Sequence, residues 1–114
     1  MIIKIVEGKI TREELKNIAE ETFKDMLKAT VDIKKGSMAV GGELHIDSND
    51  LLIKSGSNQT DVWGLNIYPE KEGEEFLEFN SLINIKPTHG NRSADIQNDV
   101  IKTKIASIVS EHIQ

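Results

Sequence analysis

The sequence contains no cysteine. This absence excludes disulfide frameworks, catalysis by a thiolate and cysteine-based zinc sites. Long hydrophobic runs are also missing, since the apolar start at residues 1–6 is interrupted by Lys4 and followed by Glu7. It lacks the continuous apolar stretch and the cleavage site of a signal peptide, so we expect a first strand there and a cytoplasmic protein.

Positive charge is in short supply, because 14 lysines and arginines face 19 acidic residues and give a net charge of −5. A general attraction to nucleic acid or to an anionic membrane surface is therefore not predicted. Arginine is rarer still, with Arg12 and Arg92 as its only examples. A chain that otherwise uses lysine has placed a guanidinium in the loop at residues 90–93, which makes Arg92 a candidate binding residue.

The composition is that of an ordinary globular protein, with 38% apolar and 29% charged residues. A length of 114 residues is typical of one domain with one hydrophobic core. We therefore expect a single domain over residues 1–114.

Caps and apolar periodicity predict three helices. Thr11 and Glu14 form a capping box, and apolar residues then recur at spacings of three and four as far as Leu27, which predicts about four helical turns. The bounds predicted for the other two helices are Asp47 or Ser48 to near Gly56, and Asn98 or Asp99 to about Ile113.

Alternation of apolar and polar residues predicts the strands. Four such segments follow the first strand, at residues 29–33, 38–40, 63–68 and 77–86. The first two form a hairpin and Pro87 stops the last, which leaves a long loop before the final helix. The order βαββαββα predicts an α+β fold with one mainly antiparallel sheet and its helices on one face.

Three motifs carry a resemblance to a known family. They are Gly41-Gly42-Glu43-Leu44-His45, then Trp63-Gly64-Leu65-Asn66-Ile67-Tyr68-Pro69, and Leu82-Ile83-Asn84-Ile85-Lys86-Pro87 running on to Gly90-Asn91-Arg92-Ser93. With them the chain resembles a domain-of-unknown-function family of small bacterial and archaeal proteins over essentially its whole length. The resemblance implies a compact prokaryotic protein and carries no established activity, substrate or catalytic residue.

Glu43, His45 and Asp47 lie at a spacing of two, so an extended segment would present all three on one face. Two carboxylates and an imidazole suit zinc, manganese or iron, and His89 would complete the shell. In the alternative interpretation Asp47 caps the second helix, Glu43 is solvated and His45 makes a hydrogen bond at a strand end. We favour this alternative because no tight histidine motif is present. The sequence identifies no metal site and no cofactor.

The loop that contains Asn91, Arg92 and Ser93 combines a flexible backbone, an amide, a guanidinium and a hydroxyl just before a helix. Such a set suits a phosphate or a carboxylate, with Lys86 adding charge and His89 lying beside it. In the alternative interpretation the loop is a structural turn, in which Arg92 pairs with a carboxylate and Asn91 is left-handed.

The functional hypothesis that follows is a small anionic ligand, bound where the Glu43–His45 strand end and the Asn91–Arg92 loop converge. If the protein is an enzyme, we predict His45 as acid or base, Glu43 as the residue that orients it and Arg92 as the clamp on the substrate. Tyr68, on the polar face of its strand, would line the groove. The competing hypothesis is a non-catalytic interaction module, a homodimer that uses this polar face.

Overall fold

The computed structural model describes residues 1–114 and confirms the α+β class. Its strands are β1 Ile3–Ile5, β2 Leu27–Asp32, β3 Ser37–Gly41, β4 Val62–Ile67 and β5 Leu77–Glu78. Its α-helices are α1 Arg12–Glu20, α2 His45–Lys54 and α3 Asp99–His112. The strands form one antiparallel sheet in the order β1-β3-β2-β4-β5. The predicted order of elements is therefore observed.

The helices lie on both faces of the sheet, which corrects the prediction that they share one. Ala29 and Val31 of β2 point into the core beneath α1 and α3. Thr30, between them, points the other way, and its hydroxyl donates to Ser48 of α2 at 3.1 Å. Because β4 is buried at every position, its sheet region requires cover on both sides.

The α1/α3 face carries most of the hydrophobic core, a cluster of 17 buried residues. Leu15 and Ile18 of α1 and Ile105 of α3 pack there on the side chains of β4 that point to this face. The α2 face has a cluster of only three buried apolar residues, which are Ala39, Leu52 and Val62.

Helix α1 is shorter than predicted. Thr11 and Glu14 form the predicted capping box, but the helix ends at Glu20. The chain then turns through Lys24, which has a φ of 74°, and Leu27 starts β2. Leu27 continues the helical spacing and yet is fully buried in the sheet. The turn was missed because it contains neither glycine nor proline.

The last predicted strand is also shorter, since β5 ends at Glu78 and a 3-10 helix follows at Leu82–Asn84. The Asn84 side chain replaces the missing strand: its Nδ2 donates to the Gly64 carbonyl at 2.9 Å, and its Oδ1 accepts from the Gly64 N–H at 2.8 Å. A Cβ at position 64 would lie 2.6 Å from the Ser81 side chain, so only glycine allows this approach.

Helix α3 starts after Asn98, whose side chain caps it as predicted. At its other end the His112 ring lies between two backbone carbonyls, with Nδ1 2.9 Å from Gly8 and Nε2 2.8 Å from Gly36. The ring thus ties α3 to two turns of the sheet. None of the helices combines the length and the apolar character needed to cross a membrane.

Candidate functional site

A row of polar side chains crosses the α2 face of the sheet. Lys28 of β2 pairs in register with Asn66 of β4, which pairs with Glu78 of β5. The Asn66 amide donates to a Glu78 carboxylate oxygen at 2.8 Å, and the Tyr68 hydroxyl donates to the same oxygen at 3.2 Å. Partial burial and the Glu78 charge raise the pKa of Tyr68. Tyr68 is therefore held as a neutral donor within this row.

His45 is the first residue of α2 and lies over the same row. Its side chain is buried, and Nε2 lies 2.9 Å from the Leu65 carbonyl. A carbonyl only accepts hydrogen bonds, so Nε2 carries the proton of the neutral ring and Nδ1 is left as an acceptor or base. Burial lowers the pKa of His45, and Lys28 lowers it further, against the opposing effect of the bond to the Leu65 carbonyl. The neutral ring is thereby favoured.

A cleft of about 320 Å³ opens beside this ring, and we call it the His45 cleft. Lys28, the cation of its wall, forms no salt bridge, and its ammonium lies 5.1 Å from the centre of the Phe23 ring. The backbone N–H groups of His45 and Ile46 have no acceptor in the protein, because the N-cap residue is Leu44, whose side chain cannot accept. The walls of the cleft are Lys28, Leu44, His45, Ile46, Asn80, Ser81, Leu82 and Ile83.

Glu43 and Asp47 are not partners of His45. Asp47 lies in the first turn of α2, where its carboxylate accepts from the N–H groups of Glu43 and Leu44 at 3.1 and 3.0 Å. Glu43 is exposed and makes no hydrogen bond to the ring. The extended segment required by the metal hypothesis is helical from His45 onward, and no group of three or more metal-ligating side chains is close enough to hold an ion. The extended face that the metal hypothesis assumed is therefore not present, and Glu43 does not contact the ring that it was predicted to orient.

Two of the predicted ligand-binding residues hold the chain together instead. The Lys86 ammonium donates to the Gln59 carbonyl at 3.0 Å and lies 5.1 Å from the centre of the Trp63 ring. Burial lowers the pKa of Lys86, partly offset by Asp61. The Asn91 amide donates to the carbonyls of Asn84, Ser93 and Asp95, and its Oδ1 accepts from the N–H of Gln97. The left-handed residue of the turn is Gly90, not Asn91.

The predicted convergence of His45 with Arg92 is not observed. Arg92 is exposed, makes neither a hydrogen bond nor a salt bridge, and is not a wall of the His45 cleft. Ser93 accepts from the Asp95 N–H at 3.1 Å and so belongs to the turn. His89 and Lys86 line a second cleft of about 400 Å³. The two clefts adjoin, since Ile46, Leu82 and Ile83 line both.

Lys28, Asn66 and Glu78 were not predicted as site residues. Lys28 was not predicted because it directly follows the segment predicted to be α1. The row of polar side chains forms only when β2, β4 and β5 pair in the observed register. The available signal was alternation, because Asn66 and Glu78 are the polar positions of adjacent strands. Their pairing follows only when the ends of both strands are known.

The three sequence motifs meet at β4. His45 of the first bonds Leu65 of the second, Gly64 of the second bonds Asn84 of the third, and Asn91 bonds the Asn84 carbonyl. The motifs therefore form one hydrogen-bonded unit that places His45 against the sheet.

Comparison with known proteins yields a family and nothing further. A family model described as a protein of unknown function, DUF5674, matches residues 4–112. No curated protein and no solved structure matches the chain. The match covers nearly the whole chain and confirms the predicted resemblance. The chain therefore belongs to the DUF5674 family.

Proposed function

We propose that the protein binds a small anion, a phosphate or a carboxylate, in the His45 cleft. The observation that carries this proposal is Lys28, a cationic residue that lines the cleft and has no carboxylate partner. The first turn of α2 adds the N–H groups of His45 and Ile46, which have no acceptor. A cation beside an open helix N-terminus is a favourable environment for negative charge.

Asp47 opposes this attraction, since its carboxylate lies at the same helix end. It is already bonded to the N–H groups of Glu43 and Leu44, which precede the helix. The net charge of −5 also disfavours anions at long range. The affinity for the anion must therefore come from close contacts in the cleft. We expect this affinity to be weak to moderate.

His45 makes this binding dependent on pH. The neutral ring offers Nδ1 as an acceptor, which suits a protonated ligand oxygen but not an anion. When the ring takes up a proton, both nitrogens become donors and the charge favours the anion. Because burial lowers the pKa of His45, this gain comes only at acidic pH. Binding of phosphate or acetate should therefore tighten as pH falls through the His45 titration. The same Nδ1 is the candidate base for a reaction in the cleft.

The experiment is an NMR titration of the protein with inorganic phosphate and with acetate. We expect shifts of the backbone N–H signals of residues 44–46 and about tenfold weaker binding by a Lys28→Gln variant. Lys104→Gln is the matched control, because Lys104 is an exposed lysine on α3 that forms no salt bridge. Arg92→Ala tests the site predicted from sequence and should bind as wild type does. Unchanged binding by Lys28→Gln, or shifts confined to residues 90–93, would refute the proposal.

A second candidate, a homodimer, is favoured by a separate observation. Aliphatic side chains are exposed around the two clefts: Leu82 is 80% exposed, Leu44 61%, Ile85 45% and Ile46 43%. Clustered apolar exposure of this kind marks contact surfaces more often than scattered single residues do. In this alternative the aliphatic rim, not the polar row, is the contact surface.

Sedimentation equilibrium tests the homodimer. We expect Leu82→Asp to shift a wild-type dimer to a monomer. Val100→Asp is its control, since Val100 is 76% exposed on α3 and lies outside both clefts. A wild-type protein that stays monomeric at high concentration excludes the homodimer.

A further inference from the structure

An apolar groove lies on the other face of the sheet, between α3 and the segment that leads into β5. It encloses about 620 Å³, a volume within the range of small-molecule sites. Phe76, Leu77 and Phe79 form one wall, and Ala106 and Val109 of α3 form the other. Three of the α3 residues that line the groove, Thr103, Ala106 and Ser110, have short side chains.

Arg12 lies in the wall of this groove and is held in place on two sides. Its Nη1 donates to the Pro69 carbonyl at 3.0 Å and to the Lys71 carbonyl at 3.4 Å. The guanidinium carbon lies 4.4 Å from the centre of the Phe76 ring, a stacking distance. Arg12 is thus a fixed cation in the wall of a groove that is lined by 12 residues, six of them hydrophobic.

The other edge of this guanidinium has no partner. Nε and Nη2 make no hydrogen bond within the protein, and Arg12 forms no salt bridge. Arginine carries five N–H donors in a planar fork, and the Nε/Nη2 edge matches the two oxygens of a carboxylate. A half-buried guanidinium with its bidentate edge unused points to a planar anion.

We propose that this groove binds a medium-chain fatty carboxylate, with its carboxylate on Arg12 and its acyl chain along α3. The apolar walls require a hydrocarbon, and the free edge of Arg12 requires a carboxylate at one end of it. Lys102 lines the groove and adds positive charge, although Asp99 lies 4.0 Å away from its ammonium. Glu74 also lines the groove and opposes an anion. A neutral or cationic amphiphile would leave the guanidinium edge unmatched.

The test is an NMR titration with decanoate below its micelle concentration, compared with 1-decanol and decyltrimethylammonium. We expect decanoate to shift the signals of residues 73–79 and 102–113 and to bind about tenfold more tightly than the other two. Arg12→Gln should weaken decanoate binding about tenfold, and Arg12→Lys should weaken it less, since lysine keeps the charge but loses the fork.

A second pair of variants tests the proposal even if Arg12→Gln does not fold. Ala106→Phe fills the groove and should abolish decanoate binding, whereas Ser107→Phe adds the same ring to the neighbouring exposed position and should not. If Arg12→Gln fails to fold, this pair and the three ligands decide the question. Equal affinity for decanoate and decanol, unchanged binding by a folded Arg12→Gln, shifts outside the groove or no binding at all would each overturn the proposal. Lys28→Gln should bind decanoate normally, which separates this groove from the His45 cleft.

Discussion

The two faces of the sheet differ in the side chains that they bury. The α1/α3 face joins 17 buried apolar residues in one cluster, whereas the α2 face has three. Several buried positions of the α2 face are polar instead, among them Thr30, His45, Ser48, Asn66 and Asn84. Burial of Thr30, His45 and Asn84 is offset by hydrogen bonds to Ser48, Leu65 and Gly64. This face therefore depends on directional contacts and contributes less hydrophobic free energy.

The difference indicates how the two faces contribute to the stability of the fold. The α1/α3 face supplies hydrophobic burial and holds the sheet in shape. The α2 face anchors the His45 ring on the Leu65 carbonyl and places Lys28 opposite Asn66 through the strand register. A site mounted on strands is more precise than one on a loop, which is why the polar row is a better candidate than the exposed turn at Arg92.

The largest effect should come from matched truncations on the two faces. Leu65 and Leu52 are both fully buried, the first in the cluster of 17 residues and the second in the cluster of three. We expect Leu65→Ala to lower the free energy of unfolding by about 4 kcal/mol and Leu52→Ala by about 2 kcal/mol. Urea denaturation measures both. Equal losses would mean that the α2 face is as tightly packed as the other.

Asn84→Ala should have the next largest effect, about 3 kcal/mol. The side chain is fully buried and satisfies both the N–H and the carbonyl of Gly64, so its removal leaves two buried backbone groups without partners. Asn80→Ala is the control, because its bond to Asp95 at 2.6 Å lies at the surface and should be worth about 0.5 kcal/mol. Similar losses for the two variants would contradict the role given to Asn84.

Much of the fold was predictable because it depends on local signals. The capping box at Thr11, the Asn98 cap and the strand predicted at residues 63–68 each depend on signals within a few residues. The structure contains all three, although β4 is buried on both faces. The ends of elements were less predictable. The turn at Lys24 has no glycine or proline, and the Asn84 side chain imitates a strand whose backbone is absent.

The candidate site was less predictable than the fold, because it depends on register between distant strands. His45 was singled out from the sequence, but the Leu65 carbonyl that it bonds comes from β4, and the cation beside it is Lys28. Asn91 was selected for its side-chain amide, which donates hydrogen bonds to backbone carbonyls of the same loop. A residue type suited to ligand binding is equally suited to holding a loop, and only the contacts distinguish the two uses.

Thr30→Val should have a smaller effect, a loss of about 1 kcal/mol. The substitution keeps the shape of the side chain and removes the hydroxyl that donates to Ser48. Ser48 also bonds the His45 carbonyl at 3.4 Å, so it is not left without a partner. Thermal and urea denaturation would measure the change. A gain in stability would show that this buried pair costs more than an apolar contact and is retained to position α2.

The smallest effect, and the most specific to the α2 face, should be a change in pH dependence. Burial lowers the pKa of His45 from 6.5 in the folded protein. As pH falls, the His45 ring therefore takes up a proton in the unfolded chain before it does so in the folded protein. Stability is then complete above the unfolded pKa and declines as pH falls below it, until the folded ring also titrates. His45→Gln keeps a donor for the Leu65 carbonyl and removes the titration. The midpoint of urea denaturation should be measured at about pH 7.5 and at about pH 5.5. The decrease in midpoint between these two pH values should be larger in wild type than in the variant. Carboxylates and the other histidines contribute equally to both proteins and cancel in that difference. An equal fall would mean that the His45 ring takes up its proton as readily in the cleft as in water, and burial would then have no effect on its pKa.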